Sequence, residues 1–202
     1  MRKVGICIPH YGDWKPNFCL DLIGILSNLP PERDLEVQVF RVSSSILLQA
    51  RQDLAKMTLL SGCDYALFLD VDMRFPSDSL LRLLARDKAI VGANYTQRNP
   101  PHRPTASKAN QRVSSLGKSG VQEVDTIGFG VCLIRTEVFR SLEMPWFMFG
   151  YNPNIGDFVG EDVFFFARAK EAGFPCFVDH ELSQDVRHIG EVELDIDMGS
   201  IG

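Results

Sequence analysis

Short apolar segments alternate with amphipathic ones through the first half of the chain, and this order limits the fold more than any other feature. "KVGICI" (3–8), "LEVQVFRV" (35–42), "DYALFL" (64–69) and "AIVGANY" (89–95) read as strands. Between them, 17–29 places Phe18, Leu22, Ile25, Leu26 and Leu29 at helical spacing and stops at Pro30-Pro31. Segment 43–62 opens on a serine run that suits a helix cap and ends at Gly62, and 77–86 opens on Ser77. The order β-α-β-α-β-α-β predicts an α/β domain with a mainly parallel sheet covered by helices on both faces. Such sheets bind ligands beyond the carboxyl ends of their strands. Pro9-His10-Tyr11 and Asp70-Val71-Asp72 both fall at that edge.

The aspartate pair is the sharpest local signal. In "ALFLDVDMRFP" (66–76) two carboxylates close an apolar run with one valine between them. Side chains two apart on a strand share a face about 6.5–7 Å apart. A turn at the strand end would bring both onto one hydrated cation, and oxygen ligands of this kind suit Mg²⁺ or Mn²⁺. A solvated strand end is the plainer explanation of the same two residues.

The second half is less regular. Residues 96–122 are rich in Pro, Ser, Asn and Gly and carry five Lys/Arg with no acid, so they read as a long basic loop, either a substrate-facing flap or disorder. "VDTIGFGVCLIR" (124–135) reads as one strand broken by two glycines, followed by a short helix from Thr136. Residues 160–174 form a helix with acids in its first turn, 175–179 a last strand, and 191–202 an acidic tail. One domain over 1–190 is expected.

Bulk composition excludes several classes. The formal net charge of −5 argues against a nucleic-acid coat protein or a polybasic membrane binder. The five cysteines contain no C-x-x-C pair, which argues against a zinc knuckle or redox dithiol and favours buried thiols in a reducing compartment. No apolar stretch reaches the roughly 20 residues of a membrane span, and the apolar part of "MRKVGICIPHYGDW" is short for a signal peptide. A cytoplasmic location is the expectation.

Three stretches, in order, resemble glycosyltransferases of the GT-A fold, close to the inverting family 2 and its relatives. They are "VGICIPHYGD", "ARQDLAKMTLLSGCDYALFLDVDMRFP" and "GEDVFFFARAKEAGFPCFVDHELSQDVRHIG". The resemblance implies a Rossmann-like GT-A domain that moves a sugar from a nucleotide-sugar, in this family commonly a UDP-sugar, to an acceptor hydroxyl. It places Pro9 and Tyr11 beside the base, Arg51 near base or phosphates, and Asp70 on ribose or metal. Asp72 and His188 would hold Mn²⁺ or Mg²⁺, and Gly128 and Gly130 would let backbone approach the donor sugar. Asp162, with Glu161 beside it, would be the general base. Gln52 departs from the family's usual Asn or Asp after the arginine.

Acceptor contacts are expected from Tyr95, Arg98, the basic loop and the aromatic segment 145–153, with Trp146 as a stacking candidate. A basic loop on an acidic chain suits an anionic acceptor such as a phosphorylated carrier or nucleic acid. Two other readings compete. One is a nucleotide-sugar-binding module without catalysis. The other is a D-x-D phosphatase of the haloacid dehalogenase type, disfavoured by Arg74 two residues past the second aspartate.

Overall fold

A computed structural model describes residues 1–30, 35–98, 100–152 and 156–190. The acidic tail 191–202 lies outside the described residues. Along the chain run β1 (Arg2–His10), α1 (Pro16–Ser27), β2 (Leu35–Ser43), α2 (Leu47–Leu60), β3 (Tyr65–Leu69), β4 (Met73–Arg74), α3 (Ser79–Ala85) and β5 (Ile90–Gly92). Then come β6 (Ser107–Lys108), β7 (Gln111–Arg112), β8 (Val121–Val124), β9 (Val131–Arg135), α4 (Thr136–Ser141), β10 (Gly150–Asn152) and β11 (Asp157–Val159). The last are α5 (Glu161–Glu171), β12 (Cys176–Asp179), α6 (His180–Asp185) and β13 (Arg187–His188).

Seven strands form one sheet in the order β2-β1-β3-β9-β5-β12-β8. Strands β2, β1, β3, β5 and β12 point one way, while β9 and β8 run against them. The domain is thus α/β, with a mostly parallel, Rossmann-like central sheet flanked by helices, as the alternation predicts.

Period-two alternation in the strands divides the core into two layers. Val4, Ile6 and Ile8 of β1, with Leu67 and Leu69 of β3, face α1, α3 and α6 through Phe18, Leu22, Leu80, Leu83 and Leu182. Cys7, Ala66 and Phe68 face the other way, onto Leu54 of α2, Phe139 of α4, and Phe165 and Phe166 of α5. Phe68, Phe129, Phe147 and Phe165 meet with ring centroids 5.2–6.0 Å apart. Burying each such ring contributes roughly 1.5–3 kcal/mol. All five cysteines are free thiols, and burial pushes the Cys7 thiol up to about 12, well away from reactivity.

Three local expectations change. The stretch 124–135 is not one strand: Val124 ends β8, which sits at the sheet edge beside β12, and Val131–Arg135 form β9, antiparallel between β3 and β5. Gly128 and Gly130, which weaken a ladder, carry the chain between them past the ring of Tyr95. The serine run caps no helix: β2 extends to Ser43, Ser44 Oγ accepts from the Ile46 N–H at 3.1 Å, and α2 starts at Leu47. Likewise α3 begins at Ser79, whose hydroxyl donates to the Pro76 carbonyl at 2.6 Å, so Ser77 is not its cap.

Candidate active site

The parallel strands β1, β2 and β3 end together, and their exits form one cavity of about 220 Å³. Pro9, Tyr11, Ser44, Leu47, Asp70 and Asp72 border it. The backbone closes its base: Ser44 N–H donates to the His10 carbonyl at 3.0 Å, and Asp70 N–H to the Gly130 carbonyl at 3.1 Å. Tyr11 stands exposed, so a ring face is open to a planar group. His10 lies at the same rim with its Nε2 buried and without a hydrogen-bond partner among the described residues. The sequence places His10 at this edge without a role and reads Ser44 as part of a helix cap; His10 closes β1, and Ser44 directly follows β2.

A tight turn separates the two aspartates, with Met73 N–H donating to the Asp70 carbonyl at 3.1 Å. Asp70 turns inward. Arg51 Nη2 donates to its two oxygens at 3.2 and 3.1 Å, and Arg51 Nη1 donates to Glu161 at the start of α5. The guanidinium is 4 % exposed and lies 4.8 Å from the centroid of Phe129. Burial works against its charge, but Asp70 and then Glu161 outweigh that and raise its pKa. Both ends of Arg51 are therefore taken by carboxylates, and it does not line the cavity as a base or phosphate contact. Gln52, the departure from the family pattern, has a packing role: its Oε1 accepts from Trp146 N–H at 3.0 Å.

Asp72 turns outward to His188 and Arg98. His188 is set there by the two-residue ladder of β4 and β13, which pairs it with Met73, and by Ile189 N–H donating to the Asp72 carbonyl at 2.7 Å. Its Nδ1 lies 2.9 Å from the Thr96 carbonyl, which only accepts, and its Nε2 faces Asp72 Oδ2 at 3.2 Å. Arg98 donates to the same Asp72 oxygen. Among the described residues no group of three or more His, Cys, Asp and Glu side chains gathers as a metal set. The expected trio of Asp70, Asp72 and His188 is reduced to a pair, because Arg51 draws Asp70 away. The Nδ1 contact to a backbone carbonyl turns Nε2 toward the Asp72 carboxylate, but Arg98 donates to the same oxygen, so a metal held there would have to displace that guanidinium.

Asp162 is the second residue of α5, and among the described residues its one hydrogen bond accepts from Val163 N–H at 2.8 Å. Glu161, by contrast, is spent on Arg51. Tyr95 joins the two halves of the site. Its Oη accepts from Gly130 N–H at 3.0 Å, and its ring meets His188 edge-on at 5.5 Å. Burial, then Asp70, push its phenol above the ordinary range. A Cβ on Gly130 would meet Tyr95 Cζ and Oη at 2.8 Å, and one on Gly128 would overlap the same hydroxyl. The two glycines thus make room for Tyr95. Trp146 is buried, donates from Nε1 to the Leu142 carbonyl at 3.1 Å and packs on Phe139, so it offers no stacking face.

No helix among the described residues is long and apolar enough to cross a membrane. No protein-family model and no curated protein matches the chain. Solved structures do share its fold. A197 from STIV aligns with 18 % identity and a TM-score of 0.59 over 97 % of this chain and 98 % of its own. The glycosyltransferase TarS from S. aureus, residues 1–349 in complex with UDP-GlcNAc, aligns with 13 % identity and a TM-score of 0.55. That alignment covers all of this chain and 62 % of the TarS chain. At these identities the likeness is one of fold, a Rossmann-like α/β domain.

Proposed function

We propose that the protein is a glycosyltransferase that moves a sugar from a nucleotide-sugar, a UDP-sugar by family resemblance, to an acceptor hydroxyl. One observation carries this reading: the exits of β1, β2 and β3 gather Pro9, Tyr11, Asp70 and Asp72 around one cavity. A domain of the same fold, TarS, was solved with UDP-GlcNAc, which supports a nucleotide-sugar as the donor.

In this reading Tyr11 stacks on the base, and Asp70, oriented by Arg51, accepts from the ribose. Asp72 and His188 would hold Mn²⁺ or Mg²⁺, which when bound would offset the charge that builds on the departing diphosphate. Asp162, with no cationic partner among the described residues, takes the acceptor's proton as the acceptor oxygen attacks the anomeric carbon. The bond from that carbon to the diphosphate breaks on the opposite face, and the configuration inverts.

Thermal shift with UDP and Mn²⁺ tests the donor site. Wild type is expected to melt higher in UDP plus Mn²⁺ than in either alone, and Asp72→Ala to lose the difference. An unchanged melting temperature in wild type would end the reading. If UDP binds but slow UDP-sugar hydrolysis is absent even with acceptors supplied, a binding module without catalysis replaces it.

A further inference from the structure

A second, larger cavity of about 620 Å³ lies beyond the Asp72–His188 contact. Asp72 borders the smaller cavity, while its two partners, His188 and Arg98, border the larger. Its rim carries four side chains that are or can become cations: Arg98, His102, Arg187 and His188. Among the described residues no Asp or Glu lines it. On a chain of net charge −5 this is a local reversal of sign.

Two of those groups, Arg98 and His188, already serve Asp72. Arg187 does not. Its Nη1 donates to the backbone carbonyls of Gln184 and Val186, which leave its charge uncompensated, and it meets no carboxylate among the described residues. His102 is exposed, with Nδ1 3.2 Å from the Gln97 carbonyl.

The floor is polar and held in place. Asn94 Nδ2 donates to the Val113 carbonyl at 2.7 Å and to Ser115 Oγ at 3.1 Å, while its Oδ1 accepts from Ala106 N–H at 2.9 Å. Ser115 Oγ in turn lies 2.8 Å from His180 Nδ1. A fully bonded buried network of this kind is pre-organised. The basic stretch 96–122 therefore reaches the site in its described residues: Arg98, His102, Pro104 and Ser115 all line this cavity.

We infer that this cavity is the seat of the acceptor, and that the acceptor bears a phosphate ester on a hydroxylated body. The guanidinium of Arg187, with His102 on the same rim, matches phosphate oxygens. Thr96, Gln97 and Ser114, exposed on the lining above that floor, offer polar groups to hydroxyls, and the volume suits a small molecule or the end of a larger one. Tyr95 links the cavity to the other site: it lines the wall, and its hydroxyl accepts from Gly130 N–H, whose residue's carbonyl accepts from Asp70 N–H. The inference rests on the transfer reading above, which assigns the other cavity to the donor.

Titration calorimetry with glycerol 3-phosphate, and with glycerol as the neutral control, tests it on the full chain. Wild type is expected to bind the phosphate ester saturably and not glycerol. Arg187→Gln is expected to weaken it about tenfold. Leu116→Glu, which puts a carboxylate on the lining at a side chain 87 % exposed and so spares the fold, is expected to do the same. Both variants should keep wild-type UDP affinity in Mn²⁺. The inference is overturned if neither variant moves phosphate binding, if glycerol binds equally well, or if UDP displaces the phosphate ester. UDP binding without phosphate-ester binding sinks this inference and leaves the transfer reading standing. Phosphate-ester binding that depends on Arg187, without any UDP binding, sinks the transfer reading instead.

Discussion

Arg51, from the first half of α2, holds Asp70 at the exit of β3 through Nη2, 3.1 Å from Oδ2, while its other arm holds Glu161 at the start of α5. One buried cation thereby ties the strand-exit edge of the sheet to the helix that carries Asp162. Arg51→Met would leave two carboxylates, 23 % and 13 % exposed, without their counter-charge. The expected cost is about 3–5 kcal/mol, read as a lower urea midpoint at unchanged slope. Arg51→Lys should recover only part, because an ammonium lacks the planar fork that spans both acids. A midpoint equal to wild type in Arg51→Met would refute the tie.

Separating Glu161 from Asp162 gives a second expectation. Asp162→Asn should lower transfer, or sugar-nucleotide hydrolysis, by roughly 10²–10⁴ while UDP affinity and the urea midpoint stay near wild type. Glu161→Gln should instead lower the midpoint, since it removes charge from the Arg51 cluster. Equal activity of Asp162→Asn and wild type in single-turnover assays would remove Asp162 as the base.

The fit of Tyr95 against Gly130 can be weighed by a double-mutant cycle. Gly130→Ala drives a methyl to within 2.8 Å of Tyr95 Oη and 3.0 Å of Met73 Cγ, for an expected loss of about 1–3 kcal/mol. In a Tyr95→Leu background, which clears the hydroxyl, the same substitution should cost less, with a coupling of about 0.5–3 kcal/mol. Strict additivity in urea denaturation would show that the two residues do not compete for space.

His180 should make stability depend on pH. It is buried between Ser115 Oγ at 2.8 Å and Gln122 Oε1 at 3.0 Å. Burial first, then the Lys118 ammonium, hold its pKa below the ordinary 6.5, and Asp179 pulls the other way. Unfolded, it takes up a proton near pH 6.5; folded, it does so only at lower pH. Between those values the unfolded state binds more protons, so this contribution is complete above about pH 6.5 and is lost as pH falls through the folded pKa. Wild type should therefore lose melting temperature from about pH 7.5 to about pH 5.5, and His180→Gln should lose less. A fall of the same size in both proteins would acquit His180.

Much of the scaffold was legible from order and period. The alternation of segments, the two-sided apolar runs of β1 and β3, and the glycine at the end of α2 are local signals that burial reinforces. The serines at 43–45 misled because a serine that closes a turn and one that caps a helix look alike in sequence. The stretch 124–135 misled because ladder partners are chosen by distant strands. Trp146 looked like a platform and is core, since aromatic character alone does not say which face of the chain is wet.

By itself the sequence determined that this chain builds an α/β sheet and ends its strands on a rim bearing Pro9, Tyr11, Asp70 and Asp72, because period and breakers act within a few residues. Only the tertiary structure decided which charges meet. Arg51 takes Asp70 inward and His188 meets Asp72 outward, across separations of 19 and 116 residues. Local propensity carries no information over such distances; packing of α2 and the β4–β13 ladder against the sheet supplies it.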